Sequence, residues 1–382
     1  MELNLLTNLI TTSPCFFNPD TTMIRSVIRS LIPLGILKYK TYITCDGYIV
    51  KDSHQLKCGV VTKDMTEKYE NYLKNLEELI QNDEEIKEFA ENIKLLKFTQ
   101  RFGFAYAVKN AVETEKICSK YIMIIQHDWI FTDTSLKIDD FIAKMEKSSD
   151  INYIGFVSDS TEKYLPYIKC QFTNDRKRII NDNKEAFHPE HSNLVKLNFW
   201  YDRNHIARLD FYMNYVFTLI NEKDNKPVVR NFFEDTFGHH EMNQIKEKGI
   251  EAHSVFGSYL YYPILPNTNE YSKIVVAHLN GRKYLPKEER TRLIEVCKIM
   301  KIYWKEDFEI PRSYQYTFKK IVFDNLELYE KLLKYDKENT DPDNKTVNNL
   351  FEFFKSVDEK FYLNISEVYS KEKENLSDSK SK

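Results

Sequence analysis

The chain has 382 residues, a formal net charge of −3, and Lys+Arg and Asp+Glu counts of 55 and 58. A hydrophobic share of 42% and an aromatic share of 14% are enough for a substantial core and exclude wholesale disorder. The near-neutral balance lacks the basic footprint of a nucleic-acid binder, so no such partner is expected.

From the N-terminus, "MELNLLTNLITTSP" carries an acid at position 2 and no basic n-region, so it does not read as a signal peptide. No apolar run approaches the roughly 18 residues that span a bilayer. The cysteines (Cys15, Cys45, Cys58, Cys118, Cys170 and Cys297) are scattered with no C-x-x-C pair, against a zinc ribbon or disulfide scaffold. A cytoplasmic setting is expected, and the N-x-[ST] sequons at Asn344, Asn364 and Asn375 matter only in a secreted chain. The Lys, Asn and Ile content fits an AT-rich genome, viral or bacterial.

Leu3 to Pro14 reads as a strand ending in a polar turn. Asn18 to Ile32 reads as a helix, because Met23, Ile24, Val27, Ile28 and Leu31 share one face, with Asp20 or Thr21 as N-cap. Lys40 to Gly47 is a second strand. Thr62–Asn82 and Glu84–Lys97 read as charged helices, and Gly103–Glu115 as a small-residue helix suited to close packing on a sheet. "YIMIIQHDW", Tyr121 to Trp129, is a third strand, apolar without alternation as in a sheet covered on both faces. Tyr153–Ser158 is another. Residues 159 to 200 read as irregular, acceptor-side loops. Pro227–Gly249 reads as strand, turn and helix. "SYLYYPIL" and "KIVVAHLNGR" are further strands. From Tyr284 the pattern is helical, with a polar break at Lys334–Thr346, an amphipathic helix at Val347–Tyr369 and a disordered tail. Strands alternating with helices predict an α/β fold with a mostly parallel sheet.

Ligands of such sheets bind beyond the carboxyl ends of the strands. The first three strands end there in Thr11-Thr12-Ser13, Asp46-Gly47 and Gln126-His127-Asp128. Asp128 is either a hard oxygen donor for magnesium or manganese or a solvated or helix-capping carboxylate; His127 reads as its structural neighbour. Asp46 either meets a base or ribose or makes a simple Asp-Gly turn. Glu234 and Asp235 supply a general base, or Asp235 an N-cap. Lys97 and Arg101 either contact phosphate or are ordinary exposed cations. His278 ends a strand as a structural residue or a ligand. The zincin pattern fails, since Gln244 stands where H-E-x-x-H needs His, and neither a P-loop nor a G-x-S-x-G elbow occurs.

In order, "TTSPCFFNPDTTMIRSVIRSL", "YITCDG", "RFGFAYAVKNAV", "YIMIIQHDWIF", "FFEDTFGH" and "HLNGR" resemble the GT-A-type nucleotide-sugar glycosyltransferases, in a divergent branch with Gln-His-Asp in place of D-x-D. The resemblance implies a Rossmann-like three-layer sandwich over residues 1–285, with a mixed, mostly parallel sheet, a helical extension over 286–369 and a tail over 370–382. It implies transfer of a sugar from a UDP- or GDP-sugar to a hydroxyl of a glycan, protein or small molecule, with inversion and with Mn2+ or Mg2+. By the same resemblance, Thr11, Thr12, Ser13 and Pro14 line the nucleotide and Asp46 meets its base or ribose. Arg101, Gly103 and Asn110 border the donor, Gln126 and His127 lie beside it, and Lys97 assists the diphosphate. Asp128 with His278 holds the metal, and Asp235, or else Glu234, is the base. Gln126 departs from the family's first aspartate, which keeps a non-catalytic glycan-binding role in view. Nucleotidyl transfer ranks last, because the loop after the first strand has neither glycine nor a basic residue.

Overall fold

The computed structural model describes residues 5–222, 232–266, 270–279, 299, 326–341 and 347–357. The chain divides into two compact units, residues 1–283 and 284–382.

The first unit is organised around strand β1 (Leu6–Thr12), buried along its whole length. Leu6 and Ile10 enter the core on one face of the sheet and Leu9 the core on the other, as the two-residue period requires. Helix α1 (Thr22–Leu31) buries the five apolar residues whose spacing predicts it. Its start is tied by Asp20, whose Oδ1 accepts from the Thr22 amide at 2.6 Å, and Thr21 makes no side-chain cap bond. Strand β2 (Lys40–Cys45) and helix α2 (Lys63–Asn82) follow, α2 capped by Thr62.

The helix expected over Glu84–Lys97 does not form. Lys87–Asn92 is a 3-10 segment and strand β3 (Ile93–Lys97) pairs parallel with β2 at the sheet edge. Ile93 and Leu96 are buried while Lys94 and Lys97 face solvent. Lysines suit an edge strand, and pairing with β2 overrides the helix propensity of the segment.

Helix α3 (Phe104–Thr114) packs on the sheet through Ala105, Ala107, Val108, Ala111 and Val112. Strand β4 (Tyr121–Gln126) stops at Gln126; a turn at His127-Asp128 separates it from strand β5 (Trp129–Phe131). Helix α4 (Ile138–Lys147) leads to strand β6 (Tyr153–Phe156). Residues 159–200 are more regular than expected, holding a short helix, Tyr164–Lys169, and the hairpin of β7 (Phe187–His188) and β8 (His191–Lys196). Strand β9 (His205–Arg208) was not anticipated. Four residues are too few to show a period, and they form a strand because β4 and β6 pair with both edges.

Residues 227–231 of the expected Pro227 strand lie outside the described residues. Glu234–Gly238 is a π-helical turn running into helix α5 (His239–Lys248), so Asp235 is not its N-cap. Strand β10 (Ser258–Tyr261) joins the main sheet, whereas β11 (Val276–His278) pairs with β5 in a separate ribbon.

The main sheet runs β3-β2-β1-β4-β9-β6-β10-β8-β7. Every strand but β9 and β8 points the same way. One core joins it to α1, α2 and α4, the other to α3 and α5. The α/β fold with a mixed, mostly parallel sheet read from the sequence is therefore the one that forms.

In the second unit, helices α6 (Leu326–Glu338) and α7 (Val347–Val357) are described. Tyr335 stacks on Phe353 at 4.4 Å, and Leu350 and Phe354 are buried. α6 runs through Lys334, so the polar break begins later than expected, at Asn339. The continuation of α7 to Tyr369 and the tail lie outside the described residues.

Candidate active site

The parallel strands β1, β2 and β4 end side by side, and their outgoing loops form a cleft. It is lined by Thr11, Thr12, Ser13, Pro14 and Cys15 after β1, Asp46 after β2, and Gln126, His127 and Asp128 after β4. Leu56, Gly59, Arg101, Gly103, Phe104, Ala107 and Phe232 close the remaining sides. Three segments distant in sequence thus meet because parallel pairing puts their carboxyl ends on one edge.

Asp46 is a clamp. Its carboxylate accepts from the amides of Phe102 at 2.8 Å and Gly103 at 2.9 Å, fixing the loop that opens α3. Burial pushes its pKa above the ordinary carboxylate value against these bonds. Gly47 lets the loop approach, since a Cβ there would lie 2.3 Å from the carbonyl carbon of Gln100. Arg101 leans across Gly59, where a Cβ would meet its Cδ at 2.4 Å. The Asp46 clamp and the missing side chain at Gly59 together set the Arg101 side chain along the cleft wall.

Asp128 is buried, and the β5–β11 ribbon brings His278 to it. Trp129 and His278 are directly paired, the Leu279 amide bonds the Asp128 carbonyl at 2.6 Å, and His278 Nε2 lies 3.1 Å from Asp128 Oδ2. The other oxygen, Oδ1, is buried with no hydrogen-bond partner. Burial pushes this carboxyl up, but the bond from His278 and the charges of His127 and His278 outweigh it and hold the pKa below the usual value. His127 is tied to the end of β1: its amide bonds the Thr11 carbonyl at 3.0 Å and its Nδ1 lies 2.7 Å from Thr12 Oγ1. Thr12 in turn meets Tyr72 of α2 at 3.1 Å.

This pair fits a hard divalent cation. An unpartnered buried carboxylate oxygen is costly unless a charge meets it. A carboxylate and an imidazole suit manganese or magnesium. Among the described residues no group of three or more His, Cys, Asp or Glu side chains converges, so the protein offers a pair and not a full cage.

Gln126, at the position where the resemblance expects an aspartate, reaches the other way. Its Nε2 donates to the Asp202 carbonyl at 2.8 Å and its amide to Asn204 Oδ1 at 3.2 Å. Asp202 is locked reciprocally to Glu234: the Asp202 amide donates to Glu234 Oε1 at 2.9 Å, and the Glu234 amide to Asp202 Oδ1 at 3.3 Å. Burial, reinforced by the Glu234 charge, raises the Asp202 pKa well above the ordinary value, and its Oδ2 is buried without a partner. Asp202 and Asn204 were missed in the sequence, where "YDRN" carries neither period nor motif. Asp235, one residue beyond Glu234, is exposed and makes no described side-chain bond.

Five sequence candidates do not line the cleft: His278, which reaches it only through Asp128, Glu234 and Asp235 beyond Phe232, and Lys97 and Asn110. Lys97 pairs with Glu77 at 2.7 Å near the edge strand. Asn110 donates to the Tyr106 carbonyl one turn back in α3.

Fold and site together define an α/β protein with an acidic, cation-compatible cleft at the carboxyl edge of its sheet. No protein-family model and no curated protein sequence matches the chain. Among solved structures it is similar to S. aureus TarS at 9% identity and a TM-score of 0.37, over 96% of this chain and 55% of that one. It is also similar to a Pyrobaculum calidifontis mannosyltransferase, PcManGT, in complex with GDP-Man and Mn2+, at 10% identity and a TM-score of 0.38, over 88% and 76% of the two chains. GalNAc-T7 with UDP, GalNAc and Mn2+ is matched at 11% identity and a TM-score of 0.42, over 89% and 58%. The chain spans little more than half the length of the first and third of these. With similarity this low, the functional reading rests on the cleft itself.

Proposed function

We propose that this chain transfers a glycosyl group from a nucleoside-diphosphate sugar to a hydroxyl acceptor, inverting the anomeric carbon. The observation that carries the reading is Asp128, which lines the same cleft as Arg101, has one buried unpartnered oxygen and holds His278 at the other. Such a cleft suits a diphosphate, an anion that needs both a cation and a protein charge beside it.

Asp128 and His278 would hold Mn2+ or Mg2+, which when bound neutralises charge on the leaving diphosphate. Arg101 adds a fixed positive charge. The amino end of α3 faces the same space through Gly103 and Phe104 and adds its partial charge. Thr11 to Cys15 wall the nucleotide side. Glu234 is held by Asp202, which leaves Asp235 to take the acceptor's proton as the hydroxyl attacks opposite the diphosphate. Asp202 ties Gln126 of the donor cleft to Glu234 of the acceptor side.

The test is calorimetric titration with UDP and GDP, then turnover of a panel of UDP- and GDP-sugars with manganese. Asp128→Ala is expected to abolish manganese-dependent nucleotide binding and donor turnover with the fold kept. Asp235→Asn should leave donor binding unchanged and lower transfer by about 10²–10⁴-fold. No nucleotide binding and no donor turnover across the panel would overturn the proposal. Full activity in the Asp235 variant would remove that residue from the role.

A further inference from the structure

A second concavity lies at the opposite edge of the sheet. β9 runs antiparallel to β4, with Arg208 opposite Tyr121, so the residues after β9 emerge at the amino end of β4. Asn152 and Val255 precede β6 and β10, which are parallel to each other and antiparallel to β9 or in line with its partners, and so they reach the same edge. There, Asn152, Asp210, Phe211, Asn214, Tyr215 and Val255 line an open, shallow concavity of about 230 Å³. With β4 spanning six residues, this site and the candidate active site are separated by about 20 Å of strand.

Three features make this a formed surface. Tyr212–Val216 is a π-helical turn, and its wide pitch turns Met213, Asn214 and Tyr215 outward in succession, at 40% exposure for Met213 and 53% for Tyr215. Such turns recur at functional sites. Tyr215 is held in place from below: its ring stacks on Phe211 at 4.9 Å, and Phe211 stacks on the fully buried Trp200 at 5.8 Å. An aromatic face fixed in this way loses little entropy when a ligand covers it. Polar groups flank it. Asp210 is exposed, Asn152 is anchored through its Nδ2 to the Phe256 carbonyl, and the exposed Asn214 side chain makes no described hydrogen bond.

The lining selects the ligand. Among the described residues it holds two amides and one carboxylate, and no cation. Phosphates, nucleotides and acidic peptides are therefore disfavoured. An exposed tyrosine ring among amide and carboxylate groups matches a pyranose, whose C–H face covers the aromatic while its hydroxyls exchange hydrogen bonds with the polar lining. We infer that this concavity is a carbohydrate-binding site, taking a neutral hexose unit of an oligosaccharide on Tyr215. It stands independently of the glycosyl-transfer reading; if that reading also holds, the site tethers an extended acceptor and raises its effective concentration at the cleft.

The experiment is saturation-transfer NMR and titration of the full chain with neutral hexasaccharides: maltohexaose, cellohexaose, mannohexaose and chitohexaose. Binding of at least one is expected, unaffected by saturating UDP. Tyr215→Ala, at an exposed position, should weaken it by about tenfold or more, and Asn214→Ala should weaken it with the fold unchanged. Asp128→Ala should leave it intact, which separates this site's failure from failure of the transfer reading. No binding across the panel, or binding indifferent to Tyr215→Ala, overturns the inference. So does self-association of the native chain that Tyr215→Ala abolishes, since the patch would then be a contact between copies.

Discussion

Glu241, in the first turn of α5, is fully buried; Ser258 Oγ donates to its Oε1, and its Oε2 has no partner. Burial, opposed by the Ser258 bond, pushes its pKa from 4.5 up to about 8. A carboxyl raised in the folded state stabilises the fold fully below its unfolded value, and that contribution is lost as pH rises towards the folded one. Glu241→Gln keeps the bond and cannot ionise. Relative to the native chain, it should gain about 1.4 kcal/mol per pH unit across that interval. Urea denaturation at about pH 5.5 and pH 7.5 should therefore show the gap widening by roughly 2–3 kcal/mol. A gap that does not change with pH would mean that Glu241 is not held protonated. The sequence carries no sign of this residue, because "HHEMNQ" reads as a polar helix start and only the packing of α5 on β10 buries the acid. Asp46 and Asp128 were legible for the opposite reason: each ends an apolar strand, and a parallel sheet delivers strand ends to its ligand edge.

At the scale of elements, the part of the cleft that the sequence does not display is its mechanical support. Asp46 reads as a contact for base or ribose or as a simple Asp-Gly turn, and in the structure its two oxygens hold the loop between β3 and α3. That loop could not be foreseen, because "EEIKEFAENIKLLK" has helix-forming composition and becomes β3 only when the exposed edge of β2 pairs with it. β9 was missed for a related reason, since "HIAR" is specified by two neighbours and not by its own pattern. Asp46→Ala is expected to leave the amides of Phe102 and Gly103 unpaired, at about 1–3 kcal/mol each, with faster hydrogen exchange at both. Asp46→Asn, retaining one acceptor oxygen, should lose less. If Asp46→Asn instead weakens nucleotide binding tenfold with stability unchanged, the carboxylate belongs to the ligand and not to the loop. Gly47→Ala should destabilise the same loop by about 1–3 kcal/mol, because the added Cβ meets backbone that no rotamer change can move.

For the whole molecule, both hydrophobic cores of the first unit, the cleft and the ribbon carrying His278 are built from residues before 284. The ribbon is the last of these in the chain, and among the described residues β11 pairs with β5 alone. A chain cut after residue 283 therefore retains every side chain named in the candidate active site, together with the strand that places His278 beside Asp128. A chain cut after residue 270 keeps every strand of the main sheet but loses β11 with the buried core residues Val275 and Val276, and Asp128 Oδ2 loses its imidazole. The first truncation is expected to unfold in one cooperative transition and to bind nucleotide in the presence of manganese as the full chain does. The second should keep the circular dichroism of the α/β fold while its manganese-dependent affinity falls by at least about tenfold, the scale of one lost charge-assisted contact. Equal affinity in the two truncations would show that His278 takes no part in holding the cation. Loss of binding in the first would place a required element of the site in residues 284–382.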